Sequence, residues 1–187
     1  NWEWKLLKKV IGYADEVIVM DQHSRNTLME NDIMNVTLLP NPLSESVCAM
    51  IDSVDVIREK RRILFAGHCI PTKGVYELIQ ACGQIPDIKL RMAGAVSPEM
   101  KHKLTSMASG DSSWLEIDGQ LSHQDTSSEM KSCDIFVLPT YTEGFPNVIL
   151  ESMACGCAIV TTPVGAIPEM LEEENGKHYG VMVEPRN

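Results

Sequence analysis

A doubly wound α/β domain on a parallel sheet is the fold this sequence predicts, and two observations carry the prediction. From residue 61 onward, short β-branched runs alternate with amphipathic helical segments, the pattern of successive βαβ units with right-handed crossovers. Two strand-to-helix loops, residues 67–74 and 139–147, concentrate glycine, proline and charge. In such a sheet, ligands bind beyond the carboxyl ends of the strands, where the strand order reverses. With the order 3-2-1-4-5-6, these two loops flank that reversal.

The elements follow from periodicity. Trp2, Leu6, Leu7, Val10 and Ile11 recur at helical spacing. Residues 16–20 read as a strand, 22–30 as a helix and 36–39 as a strand, and Asn41-Pro42 closes this unit. Residues 43–60 are mixed and polar and read as a connection with a short helix. The regular alternation then begins. Residues 63–66 form a strand, and 73–82 a helix with Val75, Leu78, Ile79 and Cys82 on one face. Residues 88–93 form a strand closed by Gly94, and 98–107 a helix with Pro98 in its first turn. Strands at 115–117, 135–138, 158–161 and 181–183 alternate with helices at 124–133, 147–155 and 168–173.

Composition narrows the function classes. The 187 residues suffice for one domain with an appended fragment. A formal net charge of −10 without any basic block excludes a surface that tracks nucleic-acid phosphates. It leaves room for a small phosphate, which needs only a cation or two and backbone N–H groups. None of the six cysteines forms a C-x-x-C pair, and Cys155 and Cys157 flank a single glycine. Most therefore read as small buried residues of a reducing, cytoplasmic compartment. In that compartment the sequon Asn35-Val36-Thr37 has no meaning. No apolar run approaches the ~20 residues of a membrane span, and no signal peptide opens the sequence. His102, His123 and His178 lack ligand-spaced partners, so no metal site is expected. Met20, Met92, Met130, Met153 and Met170 read as core filling, and Trp114 as strand-edge packing. Trp2 and Trp4 are expected to pack against parts of a larger protein. Glu172 to Glu174 read as a solvated helix end, and Asn175-Gly176 as a turn.

Two loops carry candidate chemistry. Gly67 lets a ligand approach the backbone, and Lys73 stands where a helix begins. A lysine beside helix N–H groups makes an anion site. The order Lys73-Gly74 rules out a Walker A loop. By itself this loop reads equally well as a plain turn with a solvated lysine. The segment Glu143-Gly144-Phe145-Pro146-Asn147-Val148-Ile149-Leu150-Glu151 is more specific. It sets one carboxylate in a loop and a second on the following helix, whose positive end aims at the same place. Glu151 is suited to two vicinal hydroxyls, as on a ribose. Glu143 is suited to a sugar hydroxyl or to positive charge developing on a sugar ring.

These residues carry a family resemblance. Asp134 to Thr140, the segment 143–151, Glu151-Ser152-Met153-Ala154-Cys155-Gly156 and Val164-Gly165-Ala166-Ile167-Pro168-Glu169 resemble the donor-binding domain of retaining GT-B glycosyltransferases of family 4. Met92-Ala93-Gly94 and Ile117-Asp118-Gly119 are lesser matches. The resemblance covers about residues 61–185 in order, a run far more specific than any single motif. It implies a Rossmann-like doubly wound sheet, the C-terminal half of a GT-B fold. Residues 1–42 are similar to the end of that family's acceptor-binding domain, 43–60 to the interdomain linker and 61–187 to the donor domain. The chain therefore reads as a fragment, inactive by itself.

The resemblance also implies a function: transfer of a sugar from a nucleoside diphosphate sugar to an acceptor hydroxyl, with retention at the anomeric carbon. Donor contacts would be Gly67, His68, Lys73, Glu143, Gly144, Phe145, Pro146, Asn147, Val148 and Glu151, with Glu143 and Lys73 catalytic. Gly119 and Leu121 would border the base. No metal or other cofactor is implied. The acceptor, a glycan, lipid or small molecule, would bind the N-terminal domain, and the full-length protein would touch the membrane periphery. The family usually has arginine where this chain has His68, and a neutral imidazole lacks arginine's permanent planar fork. His68 thus favours a second reading, a nucleotide-sugar-binding subunit without catalysis. A sugar-nucleotide epimerase on the same architecture fits the 143–147 segment less well.

Overall fold

The computed structural model describes residues 2–108, 112–172 and 177–185. The first part comprises α1 (Trp2–Ile11), β1 (Val17–Val19), α2 (Gln22–Glu30), β2 (Val36–Leu38) and α3 (Glu45–Ser53). β1 and β2 pair in parallel, with Val17 opposite Val36. Leu28, Ile33 and Val36 form a small core beneath Trp4, Ile11, Val17 and Val19. Asp21 starts α2 by accepting from the Ser24 amide at 2.7 Å, one of the orphan donors of a helix start.

The second part runs β3 (Arg62–Ala66), a 3-10 turn (Pro71–Lys73), α4 (Val75–Cys82), β4 (Lys89–Ala93), α5 (Pro98–Met107), β5 (Leu115–Gly119), α6 (His123–Ser132), β6 (Ile135–Leu138), α7 (Asn147–Ala154), β7 (Ala158–Thr161), α8 (Ile167–Leu171) and β8 (Gly180–Met182). The six strands are parallel in the order β5-β4-β3-β6-β7-β8. Counted from β3 this is the doubly wound order 3-2-1-4-5-6, which the sequence leaves as an assumption. β3 and β6 are neighbours whose connections leave in opposite directions, so a crevice opens beyond their carboxyl ends. The central strands read as continuous apolar runs because both faces are covered: Leu64, Phe65 and Phe136 have no exposed surface. Among the described residues no helix is long and apolar enough to cross a membrane.

The structure corrects several expectations. Residues 73–74 do not begin α4. Lys73 ends the 3-10 turn and Gly74 adopts φ +68°. A Cβ on Gly74 would lie 1.9 Å from the Pro139 carbonyl oxygen, so only glycine lets the β3 and β6 loops meet. The connection at 43–60 holds a full helix, α3, capped by Ser44. Ile51 from it is buried in the main core. Trp4 packs inside the first unit, and its indole N–H donates to Asn31 Oδ1 at 3.1 Å. Met20 is 37% exposed, because β1 belongs to a sheet of two strands with little to cover it. Met92 and Met130 are core, as expected. Cys48 is exposed and Cys157 half-buried, whereas the other four cysteines are buried. Glu172 ends α8 in a bridge with His178. The glutamates at 173 and 174 and the turn at 175–176 lie outside the described residues.

Candidate functional site

The crevice at the strand reversal is a cavity of about 710 Å³. Its floor is the end of β3 and β4, with Ala66, Gly67, Ala93 and Gly94. His68 and Lys73 come from the β3 loop. Glu143, Pro146, Asn147, Val148 and Glu151 come from the β6 loop and α7. A larger hollow of about 950 Å³ lies near Trp114 and Gly83, at the amino-terminal ends of β4 and β5. Among the described residues it gathers no comparable set of convergent charges, and it sits on the wrong edge of a parallel sheet for ligand binding.

The two site loops are stitched together by the backbone. The Tyr141 amide donates to the Thr72 carbonyl at 2.9 Å. Thr140, fully buried, donates from Oγ1 to the Thr72 carbonyl at 3.2 Å. Thr162 donates in turn to the Thr140 carbonyl at 2.5 Å. This frame delivers Lys73 Nζ to Glu143 Oε1 at 2.5 Å. The two side chains are only 21% and 12% exposed, so the pair is far less screened than a surface ion pair. Gly165 holds the other side of Glu143. At φ +58°, a Cβ there would lie 2.4 Å from the Glu143 carbonyl oxygen. The next amide, Ala166, donates to the Gly144 carbonyl at 2.9 Å.

Neither α4 nor α7 has a side-chain cap; their N-cap residues are Gly74 and Pro146. At α7, whose Asn147 and Val148 line the cavity, first-turn N–H groups thus remain for an anion. Glu151 lies a turn into α7 and lines the cavity. Among the described residues, no hydrogen bond or ion pair engages its carboxylate. His68 is exposed at the cavity wall, and its imidazole is likewise unengaged among the described residues. Asn41, from the segment after β2, donates to Asn147 Oδ1 at 3.3 Å.

Of the residues expected at the site, Gly67, His68, Lys73, Glu143, Pro146, Asn147, Val148, Glu151 and Leu121 line one cavity. Gly144, Phe145 and Gly119 do not. Gly144 supports α8 through its carbonyl. Phe145 is partly buried beside Pro146. Gly119 accepts from the Gly94 amide at 2.7 Å and turns the chain at φ +85°. The walls also include Gln120, Ser122, His123 and Thr126, which the sequence reading left out. Their only signal was the loop after β5, which parallel order brings to the same edge. That loop is anchored from below. Arg91 donates to both Asp118 oxygens at 2.5 and 3.2 Å and to Glu129 at 2.6 Å. Burial opposes this charge, but the Asp118 hydrogen bond dominates and raises the Arg91 pKa further. Arg62 joins the network through Glu59 and Glu129.

Glu169 closes the segment Val164-Gly165-Ala166-Ile167-Pro168-Glu169. Its carboxylate reaches out of α8 to accept from the amides of Gln22 at 2.8 Å and His23 at 3.1 Å. It thereby caps α2 from the other sheet unit, a favourable place for negative charge. Among the described residues, no cluster of three or more His, Cys, Asp or Glu is arranged to hold a metal. Chemically, the cavity offers one lysine and one helix start, that of α7, for an anion and two carboxylates for hydroxyls.

Comparison with known proteins bears on the fold and the family. The chain is 26% identical over 192 residues to a putative teichuronic acid biosynthesis glycosyltransferase of Bacillus subtilis, covering 98% of this chain and 46% of that protein. It is 26% identical over 189 residues to the GPI3 subunit of a phosphatidylinositol N-acetylglucosaminyltransferase of Saccharomyces cerevisiae, covering 92% and 41%. The chain thus spans less than half the length of these relatives. Among solved structures, a sucrose-phosphate synthase from Thermosynechococcus elongatus superposes with a TM-score of 0.79 at 22% identity, over 98% of this chain and 48% of that one. HepE of Anabaena, solved with UDP and glucose, superposes with a TM-score of 0.67 at 20% identity, over 92% and 50%. The shared fold is the Rossmann-like C-terminal domain of GT-B glycosyltransferases. Residues 60–187 match the family described as glycosyl transferases group 1, and the chain belongs to that family.

Proposed function

We propose that this chain is the donor-binding half of a retaining family 4 glycosyltransferase, acting in the cytoplasm, with residues 61–187 as donor domain, 43–60 as linker and 1–42 as the end of an acceptor-binding domain. The observation that carries the reading is the Lys73–Glu143 pair, 2.5 Å apart, in a cavity that also receives the uncapped start of α7 and the unengaged Glu151. A nucleoside diphosphate sugar fits those charges. Its diphosphate lies against Lys73, His68 and the start of α7, groups that also stabilise the charge of the leaving diphosphate. Glu151 accepts from the ribose hydroxyls. Glu143 faces the sugar and stabilises positive charge developing on its ring. Gly119 to Leu121 border the base. The cations and helix ends take the role a metal serves elsewhere, so no divalent ion is required. The acceptor is a glycan, lipid or small molecule held mainly by the N-terminal domain.

Calorimetry of the purified protein against UDP, GDP and ADP, with and without EDTA, tests binding. Micromolar affinity for one of them that survives chelation is expected, and folded protein that binds none refutes the donor reading. NMR of the product's anomeric configuration tests retention. Binding without turnover by the full-length protein would favour the non-catalytic subunit, the reading that His68 supports.

A further inference from the structure

Outside the donor cavity, the structure brings together two thiols that sit 24 positions apart in sequence, with Cys133 Sγ and Cys157 Sγ at 3.8 Å. The register explains the meeting. Ile135 of β6 pairs with Ala158 of β7, so the residues just before the two strands are neighbours at the amino-terminal edge of the sheet. Gly156 turns the chain there at φ +70°. The Arg58 guanidinium fastens the same turn, donating to the Gly156 carbonyl at 2.7 Å and the Cys155 carbonyl at 3.1 Å. Both sulfurs also point at the Met130 carbonyl, at 3.2 and 3.1 Å. Cys133 is fully buried and Cys157 half-buried, so Cys157 is the one an oxidant meets first.

We propose that Cys133 and Cys157 form a reversible oxidation site, a dithiol that closes to a disulfide when it meets a peroxide. The segment between them is β6, the site loop and α7, the unit that carries Glu143 and Glu151. The disulfide therefore ties the two ends of the donor-binding unit together, on the sheet edge opposite the cavity. The hydrogen bond from Cys157, aided by Arg58 and Arg62, holds the Cys133 thiol below the usual range despite burial. As the Cys157 sulfur attacks hydrogen peroxide, the O–O bond breaks and the Cys157 proton leaves with the departing oxygen, giving Cys157 sulfenic acid and water. Cys133 sulfur then attacks the sulfenic sulfur, and the hydroxyl leaves with the Cys133 proton as water. Two thiol sulfurs are oxidised and one peroxide is reduced. Cys155 stays outside this chemistry, because burial pushes its thiol up to about 11 and leaves it neutral.

The test treats the purified full-length protein with hydrogen peroxide, blocks free thiols with N-ethylmaleimide and cleaves after glutamate under non-reducing conditions. The expected product joins the peptide of residues 130–143 to that of 152–169, weighs the sum of the two less two hydrogens plus one maleimide on Cys155, and is released by dithiothreitol. The link survives Cys155→Ser and is lost in Cys157→Ser. Amide exchange in β6 and α7 slows by about threefold or more on oxidation, since cross-linked ends restrict opening of the unit. Blocked Cys133 and Cys157 after peroxide, a link that persists in Cys157→Ser, or unchanged exchange in the linked protein would each overturn the proposal.

Discussion

Replacing Glu143 with glutamine probes the pair at the centre of the cavity. Lys73 Nζ and Glu143 Oε1 lie 2.5 Å apart with side chains 21% and 12% exposed. At an effective dielectric of ~20, the gross attraction at that separation is roughly 7 kcal/mol, and desolvation of two largely buried charges offsets most of it. Glutamine keeps an oxygen for the lysine to donate to, so only the charge contribution is lost. A charge-assisted hydrogen bond is worth ~1.5–3 kcal/mol, about twice a neutral one, which makes the expected loss about 1 kcal/mol. With an unfolding entropy near 2.1 cal/mol/K per residue, a chain of 187 residues loses ~3 °C of melting temperature. The nucleotide side runs the other way. A diphosphate entering the cavity competes with Glu143 for Lys73 and feels the carboxylate's repulsion. Removing that charge tightens UDP by about 5-fold, equivalent to ~1 kcal/mol. Turnover of the full-length enzyme falls by ~10²–10³, because the charge developing on the sugar loses its counter-charge. Calorimetry, a thermal melt and a donor-consumption assay read the three effects. An Glu143→Gln protein with unchanged melting temperature and weaker UDP binding would refute the reasoning, because Lys73 would then not be held by Glu143 for the diphosphate.

Three further substitutions separate the remaining roles. Glu151→Gln weakens nucleoside diphosphate binding by ~10-fold or more, the worth of charge-assisted bonds to two hydroxyls, and leaves binding of inorganic pyrophosphate unchanged in calorimetry. His68→Arg tightens UDP by ~3- to 10-fold, since a guanidinium adds a permanent bidentate charge facing the cavity; no gain at low salt would place His68 away from the diphosphate. Glu169→Gln, at the 2.8 and 3.1 Å contacts to the Gln22 and His23 amides, removes the charge that caps α2 and costs ~0.3–1 kcal/mol. Hydrogen exchange in the first turn of α2 reads this loss as faster exchange, with no change in α4 or α7.

The sequence by itself determined the alternation of elements and the identity of the loops that matter. Runs such as Ile63 to Ala66 and Ile135 to Leu138 are apolar and bounded by turn residues, so their strand character is a local property of side-chain pattern. The segment from Glu143 to Glu151 stands out because it sets two carboxylates, a glycine and a proline in one contiguous stretch. What happens between distant segments was decided by the tertiary structure. The strand order, assumed in the sequence reading, is set by which apolar faces pack on which, and it alone brings residues 67–73, 120–126 and 143–151 to one cavity. Lys73 reads as the start of a helix from its neighbours' periodicity. It stands in a 3-10 turn because Gly74 must let Pro139 pass at close range. Met20 reads as core from its composition, yet lies exposed because burial depends on what covers a sheet and not on the strand itself. Glu169 and the Cys133–Cys157 pair show the same limit. Each acts across more than twenty residues of sequence, and an interaction of that range leaves no periodic trace, because only the folded chain sets its partners at bonding distance.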